Sequence, residues 1–372
     1  MQVHRVKICM YNVTSCYIPG GLETYYWEMG RALARRGHEV TLVAGARGAA
    51  WQDEVRLLQF PFRIEQDWPD FGHRFQRLME RLSFARNALD HLVSTAYDAV
   101  VICKPFDFPV MWQARRRGLK AVTVLHTGGT DFFLGDRWFV GAIDHLLGVS
   151  RYTANQQELR YRRAVSVVHN GVDIDRFQPQ VRNPESRASW GFPADCRVLI
   201  SVGRLVGWKG LRIVISALPH LAPDVRYLVV GVGQEEAALR AHAQALGVAD
   251  RVHFAGRIEH ADLPRVFSEA DLYVQPSIGE EAFGISVAEA MACGLPVVAS
   301  RNGGLPEVVA EGETGWLAAP GDEVAWTSVL NDALGDSARL RRMGDAARRR
   351  VVEFFTWSAT AAQLEQIMKG GR

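Results

Sequence analysis

Short apolar runs alternate with helix-length amphipathic segments along most of the chain, and this alternation limits the fold more than any other feature. In the first half the runs are Val6 to Val13, Glu39 to Ala44, Ala99 to Cys103, Ala121 to Leu125, Leu146 to Ser150 and Ala164 to His169. In the second they are Arg197 to Val202, Tyr227 to Gly231, Val252 to Ala255, Leu272 to Val274 and Pro296 to Ala299. Repeated strand–helix–strand units predict parallel sheets that bind ligands at the carboxyl ends of their strands. A chain of 372 residues exceeds what one hydrophobic core holds, about 250 to 300 residues. Two α/β domains are therefore expected. Gln178 to Pro193 carries three prolines among mixed polar residues and reads as the linker. This places the domains at residues 1–177 and 194–354, joined by 178–193.

Composition narrows the class. With 48% hydrophobic and 23% charged residues the chain is an ordinary globular one. Its five cysteines (Cys9, Cys16, Cys103, Cys196, Cys293) are scattered without a CxxC pair, which argues against disulfides or zinc and for a reducing cytoplasm. No signal peptide and no apolar run long enough to span a bilayer is visible. Net charge is +2, split as +5 over residues 1–180 and −3 over 181–372. The first half's arginines cluster: Arg35-Arg36, then Arg74, Arg77 and Arg81, then Arg115 to Arg117, then Arg160 with Arg162-Arg163. Solvated helix faces explain such clusters, and a basic face toward anionic lipid or an anionic acceptor is the sharper reading. No nucleic-acid motif accompanies the charge. Residues Phe71 to Leu92 place Phe71, Phe75, Leu78, Leu82, Ala85, Leu89 and Leu92 at steps of four and three, so an amphipathic helix with that face inward is expected.

Candidate binding residues fall in the loops after the strands. Gly20-Gly21 offers two unhindered N–H groups to a phosphate or sugar, or is a plain turn; its spacing is not that of a dinucleotide fingerprint or P-loop. The run His126-Thr127-Gly128-Gly129-Thr130-Asp131 follows another strand and places His126 where such sheets bind ligands. Asp173-x-Asp175 has a metal-binding pattern but no further acidic partner nearby in sequence. In the second half, Gly203 to Gly210 carries Arg204 and Lys209, a fork and a point charge suited to neutralising a diphosphate. Gln275 to Ser300 then places Glu281 and Glu289 eight positions apart. The helix between them starts near Phe283-Gly284, where the N–H groups of Ala282, Phe283 and Gly284 form an anion site.

Four blocks together resemble one family. VGRLVGWKG, PSIGEEAFGISVAEAMACGLPVVAS, NGGLPEVV and HNGVDIDRF look like the retaining, nucleotide-sugar-dependent glycosyltransferases of family 4, which have the GT-B fold. GGLETYYWEMGRALARRGHEVTLV resembles that family's N-terminal glycine loop and first helix. The resemblance implies two Rossmann-like domains facing each other across a cleft, the donor mainly on the second and the acceptor on the first, with a C-terminal helix over 355–372 returning to the first. It assigns Arg204 and Lys209 to the donor diphosphate and Glu281 to the donor sugar, beside the amides of Phe283 and Gly284. Glu289 is assigned to the ribose, Arg257-Ile258 to the base, and His126 to the sugar's reacting end. Asp131 is an acceptor-side candidate. It further implies no metal or other cofactor, no agreed enzymatic nucleophile, and a cytoplasmic enzyme of polysaccharide, lipopolysaccharide or glycolipid assembly. The partners expected are a nucleotide sugar, a glycan or lipid-linked acceptor and, at the inner face of the cytoplasmic membrane, anionic lipid.

Two other classes keep the fold without the transfer. A sugar-nucleotide epimerase lacks the spaced glutamates in this context, and a phosphorylase would carry a pyridoxal lysine and a much longer chain. A catalytically silent donor-binding subunit is the non-enzyme alternative, and the intact Arg204, Lys209, Glu281 and Glu289 speak against it.

Overall fold

A computed structural model describes residues 5–16, 20–47, 54–129 and 131–370. The chain divides into two units, Met1–Gly171 with Trp357–Arg372, and Val172–Thr356. The first unit's described residues form strands β1 (Lys7–Tyr11), β2 (Glu39–Gly45), β3 (Arg56–Phe60), β4 (Ala99–Ile102), β5 (Val122–Thr127), β6 (His145–Gly148) and β7 (Ser166–Val167). All pair in parallel, in the order β3-β2-β1-β4-β5-β6-β7. The second unit repeats the plan with β8 (Arg197–Val202), β9 (Val225–Val230), β10 (Val252–Gly256), β11 (Leu272–Gln275), β12 (Val297–Ser300) and β13 (Gly315–Ala318), in the order β10-β9-β8-β11-β12-β13.

The central strands are apolar because helices cover both their faces. All four residues of β4 are buried, as are all four of β11 and of β12. In each unit the chain builds outward from its first strand and then returns to that strand's other side. The reversals lie between β1 and β4 and between β8 and β11, and a crevice opens at the carboxyl ends of strands at such a reversal. Two strands were not anticipated. β3 is a half-buried edge strand, and β13 has only four residues between glycine-rich turns, too few to display a period.

Residues 178–193, expected as a linker, lie within the second unit. Pro184–Ser189 is a helix: Asn183 caps it by accepting from the Glu185 N–H, and Pro184 stands at its first position, where a missing N–H costs nothing. The Arg187 guanidinium is buried and donates to the carbonyls of Glu269, Ala194 and Cys196. The chain crosses between units at Gly171/Val172 and again at Thr356/Trp357. The last helix, Trp357–Gly370, packs in the first unit on helix Gly21–Arg35. Arg36 grips Glu365 there through Nε at 2.9 Å and Nη2 at 2.7 Å.

Helix His73–Ser94 forms as expected and buries Ala85, Leu89 and Leu92 of the expected face, but the N-terminal part of that face is not buried. Arg81, Phe84, Ala85, Ala88, Leu89 and Leu92 are buried, while Phe71 is 76% exposed and Leu82 lies at the surface. The repeat of four and three therefore marked the wrong stripe at the helix's N-terminal end. Arg81 is the reason: its guanidinium enters the core to pair with Asp107 and donates to Asn12 Oδ1 at 3.1 Å. Other arginines of the presumed basic face are also engaged, Arg115 with Asp144, Arg117 with Asp90 and Arg160 with Asp136.

Burial pushes the Asp107 carboxyl upward and Arg81 opposes that shift. Removing the cation leaves an uncompensated buried charge, so Arg81→Ala should cost about 3 to 5 kcal/mol. Urea unfolding of the purified variant checks this; a loss below about 1 kcal/mol would contradict it.

Candidate functional site

The densest set of candidate residues lies at the reversal of the second sheet. Three segments meet there: the loop after β8, the loop after β11, and residues 301–304 after β12. Lys209 Nζ donates to Glu281 Oε1 at 2.6 Å, and both side chains are largely buried. The same oxygen accepts from Gln275 Nε2 at 2.8 Å and from Ser277 Oγ at 2.6 Å. Gln275 is itself aimed by Tyr273, whose hydroxyl donates to Gln275 Oε1 at 2.9 Å. A buried carboxylate needs such donors to offset its lost hydration. Lys209 also lies over the Trp208 ring, 4.6 Å from its centroid. Beside it a small pocket is lined by Ser201, Gly203, Arg204, Lys209, Leu211 and Gln275, among others. Arg204 is exposed at its rim.

Backbone packing holds these loops in register. Gly210 has φ +66°, and a Cβ there would lie 2.1 Å from the Pro276 carbonyl oxygen. Gly303 has φ +58°, and a Cβ there would lie 2.0 Å from the carbonyl oxygen of Glu281. That carbonyl accepts from the Gly304 N–H at 2.7 Å, while Asn302 Nδ2 donates to the Gly279 carbonyl at 2.9 Å. The NGGLPEVV block thus clasps the loop that carries Glu281.

Helix Ile285–Ala292 starts after Gly284, which caps it with φ +94°. Residues 281–284 are therefore not helical, and Phe283 turns its side chain into the core, its ring 5.5 Å from Phe355. Glu289 is 5% exposed, and His260 Nε2 donates to its Oε1 at 2.7 Å. Arg257 is exposed and Ile258 partly so, in the loop after β10.

In the first unit the structure separates the expected residues. His126 lies inside β5 and is 1% exposed. Its Nδ1 is 2.6 Å from the Tyr25 hydroxyl and its Nε2 2.7 Å from the Val168 carbonyl. The carbonyl can only accept, so Nε2 carries the hydrogen and Nδ1 accepts from Tyr25. Burial pushes its pKa down to about 4. His126 is a neutral, fully bonded core histidine, and its expected place at a sugar's reacting end is not what the structure presents. Gly20 and Gly21 open helix Gly21–Arg35 at the surface; Thr130 of the quoted loop lies outside the described residues. Asp131 accepts from Lys104 Nζ at 2.6 Å and from Arg77 Nη1 at 3.4 Å. Burial raises its carboxyl, but these cations outweigh burial and hold it below the usual carboxylate range.

Gln275, Ser277 and His260 were missed by the sequence reading. Gln275 left a trace there, a polar residue closing an apolar strand. No group of three or more side chains able to hold a metal occurs among the described residues.

Comparison with known proteins gives this geometry its context. The model of Glycosyltransferase Family 4 matches residues 19–176, and that of Glycosyl transferases group 1 matches residues 182–350. A GDP-mannose-dependent alpha-(1-6)-phosphatidylinositol monomannoside mannosyltransferase of Mycolicibacterium smegmatis is 31% identical over 97% of this chain and 98% of its own. The chain belongs to glycosyltransferase family 4. Another relative in this family, a D-inositol 3-phosphate glycosyltransferase of Mycobacterium bovis, is 38% identical over 93% of this chain and 78% of its own. Among solved structures, Anabaena HepE in complex with UDP and glucose aligns with a TM-score of 0.82, covering 98% of this chain and 100% of that one at 23% identity. Sucrose-phosphate synthase from Thermosynechococcus elongatus also aligns at 0.82, with 24% identity and coverage of 98% and 99%. The paired Rossmann-like units are the GT-B architecture. The family-4 protein is thus a nucleotide-sugar-dependent glycosyltransferase rather than a silent subunit, epimerase or phosphorylase.

The clasp on Glu281 yields a direct test. Gly303→Ala forces the 281–284 loop to shift, with a cost of roughly 1 to 3 kcal/mol in strain. The variant should lose affinity for nucleoside diphosphates by more than tenfold in titration calorimetry while its circular dichroism is unchanged. Wild-type affinity would show that the clasp does not shape the site.

Proposed function

We propose that the protein transfers a hexose, with retention at the anomeric carbon, from a nucleoside-diphosphate donor to a hydroxyl of an inositol-phosphate acceptor in glycolipid assembly. One observation carries the donor half of this reading: the Lys209–Glu281 pair, held by Gln275 and Ser277, beside exposed Arg204 at the sheet reversal. Breaking the bond between sugar and phosphate leaves negative charge on the diphosphate, and prepositioned cations and amides lower that barrier. Arg204 and Lys209 take this role, with the amides of Ala282, Phe283 and Gly284. Glu281 positions the sugar and orients Lys209; with one oxygen saturated by three donors it is not assigned as a nucleophile. No metal or other cofactor enters the proposal.

The acceptor half draws on the names of the relatives, which share inositol and phosphate, and on Arg77 and Lys104 around Asp131. Those two cations suit an anionic headgroup. The purified protein should release nucleoside diphosphate from GDP-mannose or UDP-glucose only when inositol phosphate or phosphatidylinositol is present. Lys209→Ala should lower kcat by at least about 100-fold, the scale of losing one charge-stabilising donor. Donor conversion without acceptor would place the protein with the epimerases, and full turnover in the variant would remove Lys209 from the site.

Membrane attachment belongs to the same reading. No helix of the described residues is long and apolar enough to cross a membrane. Leu134 is 96% and Trp138 82% exposed, and Trp112 lies under the Arg116 guanidinium, 4.7 Å from its ring centroid. Trp112 also meets Phe139 with ring centroids 5.6 Å apart, so apolar and cationic side chains share one surface of the first unit. This patch, rather than the helix 73–94 face, is proposed to meet anionic lipid in the cytoplasm. Sedimentation with phosphatidylserine vesicles at low salt should retain the protein, and Leu134→Ser/Trp138→Ser should release it; equal retention of both would discard the patch.

A further inference from the structure

The HNGVDIDRF block has no role in the reaction as described so far, yet it reaches the second motif glutamate. Just after the chain enters the second unit, Asp173 Oδ1 accepts from the N–H groups of Asp175 (3.2 Å) and Arg176 (3.1 Å). Asp173 Oδ2 also pairs with Arg176 Nη2 at 3.3 Å. This turn aims Arg176 at His260, with Nη1 3.3 Å from the ring's Nδ1. The other face of the turn supplies Phe177, a buried residue whose ring centroid lies 5.0 Å from that of His260. His260 Nε2 then meets Glu289 Oε1 at 2.7 Å.

The directions of these bonds follow from chemistry. A guanidinium only donates, so His260 Nδ1 must accept, and the ring's hydrogen resides on Nε2. Nε2–H therefore donates to Glu289. Arg176 donates to Asp173 on one side and to His260 on the other, and His260 donates onward to Glu289, so the run from Arg176 through His260 fixes both the ring's tautomer and the carboxylate. Histidine ligands of metals are oriented by their second nitrogen in the same manner. With Oε1 occupied by His260, Oε2 is the oxygen left to accept from a ligand.

We infer that His260 is a positioning residue for the donor's ribose: held in one tautomer by Arg176, it sets Glu289 at the angle where its carboxylate accepts from the ribose hydroxyls. The inference rests on the reading that Glu289 binds the ribose. His260 also leaves the loop of Arg257 and Ile258, so the segment expected at the base would orient the ribose carboxylate as well.

The test compares GDP and UDP with their 2′,3′-dideoxy counterparts by titration calorimetry on the full chain. Wild type should prefer the ribose forms, and Glu289→Ala should erase that preference. His260→Ala should reduce the preference about tenfold, through weaker binding of the ribose forms alone. His260→Gln, which keeps an N–H donor near Nε2, should restore part of it. Arg176→Ala should shift it in the same direction as His260→Ala by a smaller factor, which also covers a poorly folded His260→Ala. If Glu289→Ala erases the preference while His260→Ala weakens ribose and dideoxy forms alike, or neither, the histidine is structural and the inference fails. If Glu289→Ala leaves the preference intact, or wild type shows none, the ribose reading itself is wrong and the inference falls with it.

Discussion

One carboxylate oxygen, Glu281 Oε1, binds together three segments of the second unit at the sheet reversal. Its three donors come from the loop after β8, from the end of β11 and from the turn beyond it. Glu281 is 7% exposed, so it has little water to fall back on, and losing any one donor leaves a buried charge short of partners. The requirement acts on the backbone as well. The loops can approach closely enough only because Gly210 and Gly303 carry no Cβ where a carbonyl stands about 2 Å away. Side-chain electrostatics and glycine placement are therefore one constraint, and it forms where the parallel sheet already opens a crevice.

Much of this was legible in the sequence. Parallel strands buried on both faces declare themselves as apolar runs, which is why eleven of the thirteen strands among the described residues are visible in the sequence. β3, half-buried at a sheet edge, lacks that signature, and β13, although buried, is too short between its glycine-rich turns to display one. The helix over 73–94 was recognised by period, but its face was misjudged at the N-terminal end, since a buried arginine counts as polar in any pattern of apolar spacing. Pro184 read as a breaker within a linker, whereas at the first position of a helix it is a starter. Lys209 and Glu281 were singled out because loops after strands bind ligands in such sheets, and the structure pairs them. His126 satisfied the same rule by position and still proved to be core, since whether a ring at a strand's end turns outward depends on neighbours remote in sequence, here Tyr25 and Val168. Pairings such as His260 with Glu289, 29 positions apart, leave no local trace.

Charge in the first unit shows why a net count says little about partners. Many arginines of residues 1–180 face carboxylates, among them Arg36 with Glu365, Arg81 with Asp107, Arg115 with Asp144 and Arg160 with Asp136, so the +5 count does not describe a free basic surface. These pairs are structural, and the buried Arg81 presents no charge at the surface. What remains for an anionic partner is local, as at Arg116 on Trp112, or shared, as where Arg77 and Lys104 converge on Asp131.

In the proposed reaction, Arg204 and Lys209 divide their work by the same logic. Lys209 is already paired with Glu281, so its ordering is complete before a diphosphate arrives and its charge is partly offset. Such a group adds little to the first encounter and gains most as negative charge grows on the departing diphosphate, when its attraction to the leaving group rises above its attraction to Glu281. Arg204, exposed at the pocket rim, retains its full field for capture and can fork onto phosphate oxygens once the ligand is in place. In the proposed reaction, then, losing Arg204 weakens donor binding more than turnover, and losing Lys209 does the reverse, because only an interaction that strengthens toward the transition state raises the rate of the chemical step.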